Sequence, residues 1–525
     1  MKNHEDYNKI IEILRAKPTG LFKKENVEEK LKCFDFFKTN GLPSDLWFLS
    51  EFFHETNSVL RQKAADTIIH IFKKLKSHEE LSDTLKSMRI TQSDLDIFAK
   101  RFPTEIYFEL LAIASFNGNG FVREKAITLL GKSNNPLAIR YLLLRTADWV
   151  SQVREAAIKS IRNYFQPAYH EAFIYQLPLV EWLLHVRRVD LSELYAQIID
   201  FITSKPLSAQ YIKTLVISDK SRLLLYSHQL KKEGLTPDIL HLILGNKDFL
   251  TRALLFKYIP LLLAEEQQKV LLQLLQDRSV KIKLTALYAI KPTLKYFKEE
   301  VFALLSDESS SIRELARSLL KEETINFTSL YRDNIQNGHK FLGNLMGLSD
   351  LGSKADIPVF EKYISDTSSK VKLACLIAIN RLDSLLAKKY SLSLLTSRSK
   401  RIRTKCCEIL SKNFDEETLE QVRSIYRSGN TEQRKTILIL FNKIGGWKVV
   451  GDLIYSLSDP NEEVNNMGWT FLFKWKIKAV NIFTNPAPND IERAHVAYKR
   501  ITEAGIQMTY YRQRLWEELP FFLRH

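Results

Sequence analysis

The sequence predicts an all-α protein, a right-handed α-α superhelix of about 14–16 two-helix units. Three observations predict this class. The chain has 525 residues, whereas a single hydrophobic core stops growing at roughly 250–300 residues. It contains only 17 Gly and 15 Pro, too few for the frequent turns of a β protein. A short pattern also recurs roughly every 31 residues.

The repeated pattern is an aliphatic residue, the anchor, usually followed by Arg or Lys, with a small residue four positions after the anchor. The spacings from Val122 to Val153 and from Val371 to Ile402 are both 31, and the spacing from 402 to a weaker copy at Gln433 is 31. The other spacings are close to multiples of this period, including 96 from 153 to Phe249. The anchors are Leu60, Val122, Val153, Ile282, Ile312, Val371, Ile402 and Val464.

An acidic or amide residue stands five positions before most anchors. These residues are Glu55, Asn117, Asp148, Asp277, Asp307, Asp366 and Asp459. Asp and Asn are good N-caps, so each unit is predicted to be a helix, a turn that holds the acid, and a second helix opening near the anchor. Stacked units could also place the acid of one turn near the base of the next, as a ladder along the solenoid. Simple capping with a solvated base explains the same pattern, and the sequence leaves both explanations open.

The pattern D-x4-[VI]-[RK]-x2-A resembles the HEAT family, and its short period is similar to the repeats of phycobilin lyases. The resemblance covers roughly residues 50–480. It implies a helical solenoid, but the family includes scaffolds, transport receptors, DNA-binding proteins and a few enzymes. One of these enzyme groups, the deoxyhypusine hydroxylases, holds iron with His-Glu pairs repeated in phase. The pairs His54-Glu55, His78-Glu79 and His170-Glu171 keep no common phase here.

The pattern fades in three regions, which gives the predicted organisation. Residues 1–50 are expected to form an N-terminal helical cap, and 51–480 the repeat array, with 165–248 as divergent repeats rather than an insertion. Residues 481–525 are expected to form a basic helical cap or tail. In this tail, Asp490 is predicted to cap one helix that runs from Ile491 towards Leu519.

No catalytic, metal or cofactor site is predicted, because the chain has neither HExxH nor zinc-ligand spacing. Gly131-Lys132-Ser133 resembles the end of a phosphate loop, but Ala126 stands where its first glycine is required, and Gly131 is better explained as a helix C-cap. Trp149 and Trp182 are expected to be packing residues. The prediction is therefore that the protein is not an enzyme.

The net charge of +16 favours acidic partners. One interval between Asp383 and Glu408 contains bases and no acid, and the tail is also basic. The candidate binding residues are Lys388, Lys389, Arg398, Lys400, Arg401, Arg403, Lys405, Lys499, Arg500, Arg512 and Arg514. A solvated basic face explains these residues about as well as a binding surface does.

The predicted function is a non-catalytic scaffold that presents a concave helical surface to a protein partner. The alternative is a nucleic-acid-binding solenoid that uses the basic residues at 388–405 and in the tail. Four cysteines without a disulfide framework or a CxxC pair, and the absence of a signal-like N-terminus, favour a cytoplasmic location. No segment is apolar enough to suggest a membrane span, and the oligomeric state stays open.

Overall fold

The computed structural model describes residues 4–16, 26–75, 77–205, 207–481, 485–506 and 508–523, and within these ranges the chain forms helices and no β-strand. The predicted all-α class is confirmed. The chain divides into two compact units, Met1–Leu262 and Leu263–His525. The predicted boundaries at 50 and 480 stay a prediction.

Short turns, some of them 3₁₀ helices, connect the α-helices of the first unit. Over its described residues these helices are α1 His4–Arg15, α2 Val27–Asn40, α3 Leu46–Leu49, α4 Ser58–Phe72, α5 His78–Leu85, α6 Asp94–Arg101, α7 Thr104–Ala114, α8 Gly120–Gly131, α9 Ala138–Arg145, α10 Ser151–Arg162, α11 His170–Tyr175, α12 Leu177–Leu183, α13 Ser192–Ile202, α14 Ala209–Thr214, α15 Asp219–Glu233, α16 Pro237–Leu244, α17 Phe249–Ala253 and α18 Leu255–Tyr258.

The second unit continues in the same way. Its helices over the described residues are α19 Ala264–Leu275, α20 Val280–Ile290, α21 Lys298–Leu304, α22 Ser310–Leu319, α23 Phe327–Gln336, α24 Phe341–Leu351, α25 Ile357–Tyr363, α26 Ser369–Leu382, α27 Ser384–Leu394, α28 Lys400–Leu410, α29 Glu416–Ser428, α30 Thr431–Ile444, α31 Val450–Tyr455, α32 Glu462–Ala479, α33 Pro488–Glu503 and α34 Tyr510–Phe522.

The helices stack in the manner of a repeat array. The second helix of a pair contacts its own first helix and also the second helix of the next pair, as α8 does with α7 and α10. In the second unit α28 contacts α26, α27 and α30 in the same way, and α30 contacts α32. Each pair therefore buries its apolar face against its neighbours instead of around one central core.

The anchors form this buried face, as the sequence predicts. In α10, Val153, Ala157 and Ile161 are fully buried, while Ile158, expected on the same face, is only half-buried. The other anchors are also buried. Four positions on, the small residue is buried in every copy as Ala64, Ala126, Ala157, Ala286, Ala316, Cys375, Cys406 or Gly468.

Gly131 serves helix packing, so its prediction as a C-cap is wrong. It is the last residue of α8, and Lys132 is the cap residue. A Cβ atom at Gly131 would lie 2.4 Å from Oγ of Ser160 in α10. The glycine is required because these two helices approach each other closely there.

In the irregular region 165–248 the described residues are also helical, in α11–α16. The repeat resumes at Thr251, which is fully buried and is followed by Arg252. The structural anchor is therefore Thr251 rather than the predicted Phe249, two residues earlier. Because this anchor is polar, it does not match the aliphatic pattern, and the pattern therefore predicted Phe249 instead.

The single helix predicted from Ile491 towards Leu519 is two helices, α33 and α34. Gly505, which follows α33, has a φ of +59°, a backbone conformation that favours glycine and ends helices. Asp490, the predicted cap, lies buried in the first turn of α33, and the residue before that helix is Ala487.

Candidate binding surfaces

The acid or amide five positions before the anchor closes the turn between paired helices. Its side-chain oxygen accepts a hydrogen bond from the backbone N–H two residues on, as Asp148 does from Val150 at 3.0 Å. The same bond, 2.7–2.9 Å long, is made by Asn117, Asn246, Asp277, Asp307, Asp366 and Asp459.

These acids are not the N-caps, so that prediction is wrong by two residues. The N-cap stands three positions before the anchor, and at four turns its amide side chain accepts from the first helical N–H groups. These caps are Asn57, Asn119, Asn430 and Asn461. The sequence carries this signal, since Ser occupies the same position before Ile282, Ile312, Val371 and Ile402.

The arginine that follows the anchor binds the carbonyl groups of its own turn, a role that the sequence pattern did not reveal. Nη1 of Arg123 donates to the carbonyl oxygens of Asn117 and Gly118 at 2.8 and 3.0 Å. The carbonyls six and five residues earlier accept in the same way from Arg61, Arg154, Arg252 and Arg403.

The base also reaches the acid of the next unit at three turns. Nε and Nη2 of Arg123 donate to both carboxylate oxygens of Asp148 at 2.9 and 2.8 Å. The pairs Lys283–Asp307 and Arg434–Asp459 repeat this contact. The ladder is confirmed at these turns, and the alternative of a solvated base is wrong for Arg123, which is buried.

Asp148 is the most enclosed acid of the ladder. Its side chain is fully buried and also accepts from Nη1 of Arg145 at 2.9 Å. Burial by itself would raise its pKa, but the hydrogen bonds from Arg123 and Val150 and the charges of Arg145 and Arg123 outweigh it and lower the pKa below the usual 3.8. The carboxylate is therefore charged at neutral pH and fixes two arginines.

The predicted basic residues between 388 and 405 do not form one free cluster. Three of them are engaged: Arg403 is buried in its turn, Lys388 pairs with Asp415, and Lys405 lies 3.2 Å from Glu408. The remaining four are exposed, and the described residues provide no ion pair for them. They are Lys389 on α27, Arg398 in the turn, and Lys400 and Arg401 on α28.

The interval from 383 to 408 is free of acid only in sequence. The fold brings Asp415 from the following turn against Lys388, and Glu432 from α30 to 3.4 Å from Arg403. Both acids come from the neighbouring unit, so the sequence of the interval alone could not show them.

The four predicted residues of the tail are divided between two places. Lys499 and Arg500 lie on α33; Lys499 is exposed, 3.9 Å from Glu503, and Arg500 lies over the ring of Tyr455 at 4.7 Å. Arg512 and Arg514 lie on α34. Arg512 donates to Asn466 of α32, and Arg514 lies 3.2 Å from Glu518.

A groove of about 600 Å³ lies between α32 and α34 and is lined by Trp469, Phe473, Lys474, Tyr511 and Arg514, among others. The buried Trp469 packs edge-on against Trp516 of α34. Beyond this contact, large apolar side chains are left exposed at Phe473 and Ile477 of α32 and at Val480, the cap residue that directly follows it, with exposed fractions of 52%, 59% and 68%.

We call Phe473, Ile477 and Val480 the α32 stripe, because spacings of four and three residues place them on one side of the helix. Lys474 and Lys478 beside the stripe are exposed and have no ion pair among the described residues. The sequence did not predict this stripe. Since α32 is apolar around most of its circumference, periodicity alone could not say which face stays uncovered.

A second cavity, of about 230 Å³, lies between α29, α31 and α33. Aromatic and aliphatic groups line it together with four arginines and two acids. The lining residues are Glu420, Arg423, Tyr426, Arg427, Phe441, Gly451, Asp452, Tyr455, Arg493, Val496, Ala497 and Arg500.

Trp149 is not the packing residue that the sequence suggested. It is 78% exposed, and the guanidinium of Arg188 lies 3.5 Å from its ring centre. Trp182 is half-buried. Asp148, beside Trp149, is engaged by two arginines.

The described ranges contain no group of three or more His, Cys, Asp or Glu placed to hold a metal ion. Of the His-Glu pairs, His170 is buried and bonded through its two ring nitrogens to the hydroxyl of Tyr211 and the carbonyl of Ile202. Within the described residues, no helix combines the length and the apolar character that crossing a membrane requires.

The helix pairs stack on one another, and the turns repeat the acid and the base at the same positions. This arrangement is a helical repeat. The repeat is HEAT-like. No family model matches the chain, and no curated protein matches its sequence. The finer resemblance to phycobilin lyase repeats stays a prediction.

Several solved helical-repeat structures are similar to the chain. The C-terminal fragment of the Chaetomium thermophilum cohesin loader SCC2 is 10% identical over 89% of this chain and 43% of that one, with a TM-score of 0.32. Kap95p in complex with RanGDP is 12% identical over 99% of this chain and 67% of that one, with a TM-score of 0.29. Importin beta is 12% identical over 99% and 78%, with a TM-score of 0.26.

The chain spans less than two thirds of the first of these structures and 57% of Kap121p bound to Pho4p. At these identities and scores the similarities support no conclusion about the role of this chain.

Proposed function

We propose that this protein is a non-catalytic scaffold that holds a protein partner on its helical surface, and that the partner docks an acidic amphipathic helix on the α32 stripe. One observation carries the proposal: three large apolar side chains at helical spacing stay exposed, and the first of them, Phe473, lines the α32–α34 groove. A contiguous apolar patch with a polar rim is typical of protein–protein contact sites.

The chemistry of the rim determines the occupant. Lys474 and Lys478 flank the stripe without ion pairs among the described residues, and Arg514 lines the groove. A helix whose apolar side chains repeat at i, i+4 and i+7 would cover Phe473, Ile477 and Val480. Acidic residues on its borders would meet the lysines and set its orientation.

A binding assay tests the proposal. The probe is a designed acidic amphipathic helix, labelled for fluorescence anisotropy, and its control has the same composition scrambled so that the stripe is lost. We expect only the amphipathic peptide to bind. Ile477→Asp should weaken it about tenfold or more, because burial of an isoleucine contributes about 1.5–3 kcal/mol.

The matched control is Phe302→Asp on α21, which changes an exposed aromatic residue of the same unit outside the groove. It should leave binding unchanged. Equal binding of the scrambled peptide, or no loss in Ile477→Asp, would refute the docking site.

Nucleic acid is the competing occupant of a basic surface. The four exposed bases Lys389, Arg398, Lys400 and Arg401 are its candidate site. Salt-sensitive binding of duplex DNA that is lost when these bases are reversed to Glu, and that Ile477→Asp leaves intact, would favour the nucleic-acid function over the scaffold.

A further inference from the structure

We propose that the cavity between α29, α31 and α33 binds a small organic anion with an aromatic or branched apolar body, such as an aromatic carboxylate. This site is independent of the α32 stripe, since the two share no residue. Its volume of about 230 Å³ lies below the roughly 300–1,000 Å³ of drug-sized pockets, which limits the ligand to about one ring.

Aromatic rings give the cavity its apolar part. Tyr426, Phe441 and Tyr455 line it, and the rings of Phe441 and Tyr455 lie 6.4 and 6.3 Å from that of Tyr426. The hydroxyl of Tyr426 is engaged at 2.9 Å by Asp459, the acid of the next turn. Tyr426 therefore contributes its ring rather than its hydroxyl, and an apolar body would find aromatic contacts.

The two acids of the lining are neutralised inside the protein. Arg423 donates to Asp452 at 2.9–3.1 Å and to Glu420 at 2.8 Å. Arg493 adds a contact to Glu420 at 3.5 Å and one to Glu416, outside the cavity, at 3.0 Å. Neither acid is left to attract a cation.

Two arginines of the lining keep hydrogen-bonding capacity that the described residues do not use, Arg493 and Arg500. Arg500 is exposed, lies over Tyr455 and has no ion pair among the described residues. The nearest acid to Arg427 is Glu420, at 3.7 Å. Nη1 of Arg493 is buried and makes no hydrogen bond among the described residues; its ion pair with Asp490 spans 3.7 Å.

A buried guanidinium nitrogen without an acceptor is costly unless something supplies one. The packing of α29 against α31 explains Arg423, which binds Glu416 and Asp452. The docking of α33 on α29 explains Nη2 of Arg493, which binds Glu416. Neither explains the buried Nη1 of Arg493 or the guanidinium of Arg500. A carboxylate bound by these arginines, with its ring over the tyrosines, accounts for the charge and for the apolar lining.

Calorimetric titration of the full chain tests the site with three probes. Benzoate carries both features, benzyl alcohol lacks the charge and acetate lacks the ring. We expect saturable binding of benzoate and at least about tenfold weaker binding of the other two, because a charge-assisted hydrogen bond and a buried ring each contribute more than about 1.4 kcal/mol.

Arg500→Gln should weaken benzoate about tenfold, since it removes one charge-assisted contact at an exposed position where folding is unaffected. Its matched control is Lys499→Gln, which removes the neighbouring charge on α33 outside the cavity lining. Ile477→Asp should leave benzoate binding unchanged, which separates this site from the docking of a partner.

Three results would overturn the proposal: no saturable benzoate binding, acetate binding as tightly as benzoate, or equal losses in Arg500→Gln and Lys499→Gln.

Discussion

A single basic side chain, arginine or lysine, ties each ladder turn to its neighbour. The guanidinium of Arg123 binds two carbonyl groups of its own turn and both oxygens of Asp148 in the next unit. Its side chain is 9% exposed and that of Asp148 is fully buried. Removing one partner of such a buried pair leaves the other charge uncompensated, which costs far more than the intact pair contributes.

Asp148→Ala should therefore destabilise the first unit by about 3–5 kcal/mol, because Arg123 and Arg145 would both lose their carboxylate. Denaturant unfolding, with hydrogen exchange of α8 and α10, measures the effect. The matched control is Asp366→Ala. This acid occupies the same repeat position and accepts from Ser368, but the described residues give it no ion pair, so we expect a loss of about 1 kcal/mol. Equal losses would contradict the role assigned to the ladder.

The four cysteines are buried and free. Burial raises the pKa of Cys375, Cys406 and Cys407 to about 12 and also raises that of Cys33. Since the thiolate is the reactive form, we expect an aromatic disulfide reagent at pH 8 to modify none of them in the folded protein and all four after unfolding. Rapid modification of the native protein would show that the pair at 406–407 is accessible.

Burial lowers the pKa of His170 below its usual 6.5. Below pH 6.5 the unfolded chain binds a proton that the folded protein does not, so stability falls as the pH decreases from about 7 through that value. His170→Gln should reduce this slope by up to ~1.4 kcal/mol per pH unit. His185→Gln, at an exposed histidine, is the control, and an identical slope in wild type and His170→Gln would contradict the prediction.

At the scale of the helix, the sequence predicts the buried positions that recur with the period of the repeat. A helix that packs on both sides must place an apolar and a small residue in register, so Val153 and Ala157 could be located without coordinates. Three features could not be located in this way: the ion pairs of Lys388 with Asp415 and of Arg403 with Glu432, the exposed face of α32, and the break between helices at Gly505. They depend on which helix comes to lie beside which, and on a backbone conformation that one glycine permits.

Close helix packing provides a test at this scale. A Cβ atom at Gly343 in α24 would lie 1.8 Å from the carbonyl oxygen of Ser306. Alanine normally favours a helix by about 1 kcal/mol, but Gly343→Ala should destabilise the second unit by about 1–3 kcal/mol, because the backbone must move. Gly245→Ala is the control, since its Cβ would meet only an ordinary contact at 3.4 Å. An unchanged melting temperature for Gly343→Ala would contradict the close contact between Gly343 and Ser306.

For the whole molecule, the positive charge that is accessible to partners is smaller than the net charge of +16 suggests. Arg123, Arg313 and Arg403 are buried in turns, and their charges serve the repeat itself. The bases left for recognition are exposed ones such as Lys474 and Lys478. Salt should therefore weaken binding of the acidic amphipathic peptide only modestly, because few charges meet at the contact and its apolar part is insensitive to salt. A steep salt dependence of the anisotropy titration would instead indicate polyanion binding.

Photo-crosslinking in cells tests most directly whether a protein partner docks on the α32 stripe. A photo-crosslinking amino acid is placed at position 477 of the full chain, with position 302 as the control. The crosslinked products are identified by mass spectrometry. We expect a protein crosslinked at 477 but not at 302, through a segment with an apolar stripe and acidic borders. Crosslinks to nucleic acid, or the same products from both positions, would contradict this prediction.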